Sequence, residues 1–259
     1  MPEVPKGLRV TVLGSGTSSG VPVIGCDCPV CTSTDPRNKR LRSSVLVEAN
    51  GVNLLIDTPP DLREQCLRYN VRRVDAVLYT HEHADHILGC DDLRSFNFIQ
   101  RCPITAYGNE RTVDRLNTIF AYFTNPVQRG GGIPKVEFQK VYGPFEAAGV
   151  CVTPIPVWHG KLEVYGYRIG SFAYINDCNR IPDASMELLS DLKILILDGL
   201  RIKPHSTHFN LDQAIQKARE LNPEQVFFTH LTHDIDHGEI SRELAPGMAL
   251  AYDGLVLRL

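Results

Sequence analysis

The chain has 259 residues, 43% of them hydrophobic, and a formal net charge of −3. That is ample apolar material for a sizeable core, and the charge gives no general attraction to nucleic acid. No run approaches membrane-spanning length and Met1–Gly7 lacks the apolar core of a signal peptide, so a cytoplasmic protein forming a single domain over 1–259 is expected.

Arg9–Leu13 opens as a strand. Gly14–Gly20 is glycine-rich, but its spacing is one residue too long for a dinucleotide fingerprint and Val21-Pro22-Val23 blocks the helix that should follow. It reads instead as a tight turn near the cleft, with backbone N–H groups that could meet an anion. Cys26, Cys28 and Cys31 then place three thiols within six residues, a standard start for a closed tetrahedral zinc site. A disulfide reading fails, because three thiols leave one unpaired and the chain reads as cytosolic. The fourth ligand is expected to be His233, with His237 as the alternative.

Val45–Glu48 and Val52–Ile56 flank Asn50-Gly51, a two-residue hairpin signal. A helix is expected over Pro60–Tyr69, then a buried strand over Ala76–Thr80, and further helices near Asp91–Phe98 and over Arg111–Phe123. Asn125 to Lys135, with Gly130, Gly131 and Gly132, reads as a loop bordering the cleft. The second half is expected to alternate strands with helices at Ala184–Leu189 and Leu211–Glu220, the latter capped by Asn210 with Gln213 closing a capping box. Cys66, Cys90, Cys102, Cys151 and Cys178 read as reduced packing thiols.

The most informative stretch is His81-Glu82-His83-Ala84-Asp85-His86, three imidazoles and a carboxylate on the loop leaving a strand's carboxyl end. His81 and His83 can converge on one ion while Asp85 and His86 turn to a second, an arrangement suited to two-metal hydrolysis. Two ions need more ligands, and His159, Asp177 and His230 each stand just past another strand-like run.

This constellation resembles the metallo-β-lactamase superfamily, whose fold is an αββα four-layer sandwich in the α/β class. The resemblance implies that His81, His83 and His159 hold one ion, that Asp85, His86 and His230 hold the other, and that Asp177 bridges them. The commonest β-lactamases carry Cys where this chain has Asp177 and lack the His86 ligand. The pattern therefore points to the phosphodiesterase, ribonuclease Z and glyoxalase II branches. Di-iron redox relatives replace the second motif His by Glu, and His83 departs from them.

Together with Cys26, Cys28, Cys31 and His233, the motifs resemble the PhnP family of phosphoribosyl cyclic phosphodiesterases. The resemblance implies a metal-dependent hydrolase acting on a small phosphodiester, with a five-membered cyclic phosphate on ribose as the expected substrate. It also suggests a homodimer, while the charge, the lack of a basic-aromatic pattern and the lack of a spanning run leave neither nucleic acid nor membrane as an expected partner. The active-site donors would accept Zn or Mn, and Fe or Ni as well; the third ion is a structural Zn. Asp85 and His208 are the expected catalytic residues, His208 as general acid by resemblance to related phosphodiesterases. Asp57 is expected to orient a metal-ligating His, Asp198 to orient His208, and His205 to serve the local loop. A ribonuclease Z-like nuclease and a glyoxalase II-like thioester hydrolase are the alternatives.

Overall fold

The computed structural model describes residues 7–125 and 132–259. The glycine-rich loop expected between Asn125 and Lys135 falls mostly on 126–131, outside the described residues, as does the amino-terminal stretch 1–6. The first half contributes β1 (Arg9–Gly14), β2 (Ser44–Ala49), β3 (Val52–Ile56), β4 (Ala76–Leu78), β5 (Ile104–Gly108) and β6 (Val136–Lys140). The second half contributes β7 (Phe145–Ala147), β8 (Val150–His159), β9 (Leu162–Ile169), β10 (Phe172–Ile175), β11 (Ile194–Asp198), β12 (Gln225–Thr229) and β13 (Met248–Leu250), and β14 (Val256–Arg258) returns to the first sheet. They form two seven-stranded sheets, ordered β14-β1-β2-β3-β4-β5-β6 and β13-β12-β11-β10-β9-β8-β7.

The helices are α1 (Pro29–Thr32), α2 (Leu62–Arg68), α3 (Ala84–Ile87), α4 (Arg94–Gln100), α5 (Glu110–Ile119), α6 (Ala121–Thr124), α7 (Asp183–Glu187), α8 (Leu211–Leu221) and α9 (His237–Ile240). The pleat explains the layering. In β3, Leu54 and Ile56 enter a core shared with the facing sheet's Tyr167, Phe172, Ile194 and Ile196. Leu55 points the other way, into a core with Leu62, Phe96 and Leu116 from the covering helices. In β11, Leu195 and Leu197 likewise meet Leu211, Ala214 and Ala218 of α8. Sheets covered on both faces need apolar residues at successive positions, which is why these strands read as continuous apolar runs. The result is the expected αββα sandwich.

The Asn50-Gly51 hairpin forms, with both residues at positive φ (51° and 80°), as its two-residue turn requires. The capping box of α8 also forms, Asn210 Oδ1 accepting from the Gln213 N–H at 3.0 Å and Gln213 Oε1 from the Asn210 N–H at 3.1 Å. The second half departs from simple strand–helix alternation. β7 to β10 form an antiparallel meander before the parallel strands β10 to β13 begin. The strand-like runs expected before His159 and Asp177 form β8 and β10, but their antiparallel pairing through β9 was not foreseen. The helix expected over Arg111–Phe123 ends at Ile119, with Phe120 turning the chain into α6. Cys102 is exposed, so it is not a packing thiol.

Candidate metal centre

The carboxyl ends of β3, β4, β10, β11 and β12 open on one edge of the sandwich, and β8 delivers its last residue there. From these ends come Asp57, the His81–His86 stretch, Asp177, Asp198, His230 and His159. Asp57, Asp177 and His230 all adopt left-handed backbone, with φ of 62°, 50° and 61°. Non-glycine residues seldom do so, and such conformations cluster at sites where the fold imposes them. Here the sharp turn aims each side chain back over the sheet edge.

Two groups of donor atoms result, each with all members within 4.8 Å of one another: His81, His83, His159 and Asp177, and Asp85, His86, Asp177 and His230. Asp177 belongs to both. His81 Nε2 lies 3.7 Å from Asp177 Oδ2, His86 Nε2 lies 3.4 Å from Asp177 Oδ1, and His230 Nδ1 lies 3.3 Å from that same oxygen. His83 is exposed, whereas the other histidines of the two groups are buried.

Divalent cations fit this cradle. His81 Nε2, His86 Nε2 and Asp177 Oδ1 are buried without a hydrogen-bond partner, a costly state for polar atoms unless a further group satisfies them. Burial holds the His81, His159 and His230 imidazoles below their usual pKa, in the neutral form that ligates. Burial acts the same way on His86, but Asp177, Asp85 and Asp57 outweigh it and raise its pKa. A buried pocket with that much negative charge calls for cations.

The surrounding contacts fix ring orientations. His86 Nδ1 donates to Asp57 Oδ2 at 2.7 Å, and Asp57 is itself held by the Thr80 N–H and Thr80 hydroxyl, each at 2.8 Å. His159 Nδ1 donates to the Thr207 carbonyl at 2.9 Å. In both rings Nε2 is left facing the centre, the division of labour usual for ligating histidines. Ser43 Oγ lies 3.2 Å from His230 Nδ1 and donates to the Gly16 carbonyl at 2.9 Å. The Gly14–Gly20 turn therefore does abut the centre. A Cβ at Gly14 would lie 2.0 Å from the Arg42 carbonyl oxygen, so only glycine permits that approach.

His208 sits at the same edge. Its Nδ1 donates to Asp198 Oδ2 at 2.8 Å and its Nε2 lies 4.0 Å from Asp177 Oδ2. The ring stacks on His230 at 5.1 Å between centroids. Burial lowers its pKa, but Asp198 and Asp177 outweigh burial and push it up to about 9. His205 is part-exposed and holds Thr207, accepting from its N–H at 3.3 Å.

The second cluster gathers Cys26, Cys28, Cys31 and His233. His233 Nδ1 lies 3.2 Å from Cys26 Sγ and 3.5 Å from both Cys28 Sγ and Cys31 Sγ. Tetrahedral zinc with ordinary Zn–S and Zn–N bonds separates sulfur from nitrogen by about 3.5 Å. Cys28 caps α1, and the Cys31 N–H it accepts brings its thiol down to about 7, towards the thiolate that zinc requires. His237 lies outside this cluster, its ring instead 5.6 Å from that of Tyr252.

Sequence reasoning did not single out Ser43, Thr80 or Arg40. Arg40 is only 1% exposed and donates to the Thr232 and Ile235 carbonyls at 2.8 and 2.7 Å, pinning the loop that carries His233. Thr80 had a signal in its place directly before the motif; a buried arginine has none.

Comparison with known proteins agrees with the geometry. The sequence model of the Beta-lactamase superfamily domain matches residues 52–231. The crystal structure of a diphosphatase from the PhnP family is 47% identical, with each chain covered to 98% and a TM-score of 0.92. Zn(2+)-bound PqqB from Methylobacterium extorquens shares the fold at 21% identity, with a TM-score of 0.79 over 97% of this chain and 100% of that one. An octanoyltransferase of Porphyromonas gingivalis is 39% identical over 96% of this chain, but this chain spans only 51% of its length. With a family model over most of its length and a near-complete superposition on a 47%-identical neighbour, the chain belongs to the metallo-β-lactamase superfamily as a PhnP-like member.

Proposed function

We propose that this chain is a metal-dependent phosphodiesterase acting on a small phosphodiester, with a five-membered cyclic phosphate on ribose as the preferred substrate. The whole chain acts as one domain. His81, His83 and His159 would hold one divalent ion, Asp85, His86 and His230 another, with Asp177 shared; Cys26, Cys28, Cys31 and His233 would hold a structural zinc. When bound, the catalytic pair supplies acidified water and Lewis acidity toward a phosphoryl oxygen. The chain's own residues do the rest. Asp57 and the Thr207 carbonyl keep His86 and His159 oriented, and Asp198 holds His208 with Nε2 toward the centre.

The observation that carries the reading is His208. It is a buried imidazole whose proton is retained by Asp198, placed 4.0 Å from Asp177 and so beside the reacting position. Expulsion of a ribose alkoxide needs such a proton donor, whereas a thiolate leaving group does not. The diphosphatase relative also acts at phosphorus. Metal-analysed protein should be assayed on a ribose cyclic phosphate, an aryl phosphodiester, pre-tRNA and a thioester. Preferential turnover of the cyclic phosphate is expected. Preferential turnover of the thioester or of pre-tRNA would replace this reading with the corresponding alternative.

A further inference from the structure

α2 and α4 cover the outer face of the first sheet, burying Leu62 and Phe96 in one core with Leu55. Between the two helices lies a groove of about 220 Å³, and none of its lining residues belongs to the two donor groups or to the thiol cluster. Its floor is apolar, from Leu62, Val71 and Phe96. Its walls are apolar too, but uncovered: Leu67 of α2 is 65% exposed and Ile99 of α4 is 64% exposed. Phe98, the preceding residue of α4, is 66% exposed and lines a second recess of about 350 Å³. Single exposed apolar side chains are ordinary, but three on two adjoining helices, two of them lining one groove, form the kind of patch that a partner covers.

The charge around this patch is largely of one sign. Five cations line the two recesses, Arg63 and Arg72 in the first and Arg94, Arg101 and Lys135 in the second, against one carboxylate, Asp92. Among the described residues only Arg94 of these five has an ion pair, with Asp91. Arg63 stands four residues before Leu67 on α2, so a guanidinium and an exposed apolar side chain lie side by side. The whole chain carries a formal charge of −3, so this positive excess is local to the α2–α4 face.

We propose that the α2–α4 face is a docking surface for an acidic amphipathic segment of a partner protein, which seats an apolar side chain in the groove between Leu67 and Ile99 and sets carboxylates against Arg63, Arg72 and Arg101. Charge complementarity selects that occupant. A second copy meeting this face about a two-fold axis would bring the same unpaired cations against themselves. An anionic bilayer would satisfy the cations, but it takes up protruding side chains. This face is recessed, the form into which an amphipathic helix lays anchors spaced i, i+3, i+4.

The test uses metal-loaded, full-length protein and fluorescence anisotropy with three labelled helical peptides. One carries Leu and Phe at i, i+3, i+4 and i+7 with Glu on the flanks, the second replaces each Glu by Lys, and the third scrambles the first. The acidic amphipathic peptide is expected to bind about tenfold or more tightly than either control, and to weaken as salt is raised. Leu67→Asp and Ile99→Asp should each abolish that binding. Arg63→Glu combined with Arg72→Glu should reverse the preference in favour of the Lys peptide, an outcome that damage to the fold would not produce. All four side chains are exposed, so the thermal melt should stay unchanged. Equal binding of the Glu and Lys peptides, or no binding of the Glu peptide, overturns the proposal. A wild-type dimer that Leu67→Asp and Ile99→Asp split in sedimentation overturns it in favour of a second copy. Flotation with phosphatidylglycerol vesicles that these variants lose, with peptide affinity unchanged, overturns it in favour of a bilayer.

Discussion

His208 owes its chemistry to one contact. Without Asp198 at 2.8 Å, burial would make its imidazole neutral; with it, the ring keeps a proton to donate. His208→Ala is therefore expected to lower kcat on a ribose cyclic phosphate by roughly 10²–10⁴, the usual worth of a positioned acid. Both active-site ions should remain bound, since His208 is not among the proposed ligands. The defect should shrink on a nitrophenyl phosphodiester, whose leaving group departs without a proton. Equal losses on the two substrates would remove His208 from the acid role. A second titrating residue acts on stability. Burial, then Arg37 and Arg40, push the His237 imidazole down to about 4. Its folded pKa lies below its unfolded value of about 6.5, so its contribution is fully present above that pH and is lost as pH falls from about 6.5 to 4. Denaturant melts at pH 7 and 5 should show wild-type protein losing about 2 kcal/mol more than His237→Phe. Parallel losses would disprove the assignment.

At the level of elements, the thiol loop and the His81–His86 motif are proposed to serve different ends. The segment with Cys26, Cys28 and Cys31 is tied to the chain beyond β12 by His233 and by Arg40, far apart in sequence. Closed zinc sites contribute folding energy directly, so Cys28→Ser should lose one zinc and melt earlier. Asp85→Ala, on the short helix α3, should abolish turnover with the melt preserved. Unchanged zinc content and melting in Cys28→Ser would refute the structural role. Much of this was legible in the sequence because the donors sit at strand ends: His81 to His86 after β4, Asp177 after β10, His230 after β12. Apolar runs marked those strands, since both faces of each sheet are covered. The meander of β7 to β10 was not legible: the runs before His159 and Asp177 read as strands, but an apolar run does not say which neighbour it pairs with or in which direction. The choice between His233 and His237 was not legible either. It depends on a loop whose path is set by Arg40 donating to backbone carbonyls, which spacing cannot reveal.

Across the whole molecule, the sandwich brings two halves together at one edge, and neither half alone supplies a complete donor set. His81, His83, Asp85 and His86 come from the first sheet; His159, Asp177 and His230 come from the second. Holding the halves together is the work of the central core and of bonds such as that from the Tyr167 hydroxyl to the Tyr79 carbonyl at 2.7 Å, just before the motif. No helix among the described residues is long and apolar enough to cross a membrane. The two kinds of site should then release metal differently. The dinuclear donors sit at an open edge with His83 exposed, while the third set is a closed four-donor group with three thiols. Protein purified without chelator is expected to approach three ions per chain. Graded chelator should first remove the edge ions, with activity falling and the thermal melt little changed. Removal of the last ion, the zinc among the thiols, should coincide with an early melt, because that site contributes to folding. One ion per chain with full activity would rule out the dinuclear centre. A melt that collapses with the first ion lost would mean that the catalytic ions, rather than the thiol site, hold the two halves together.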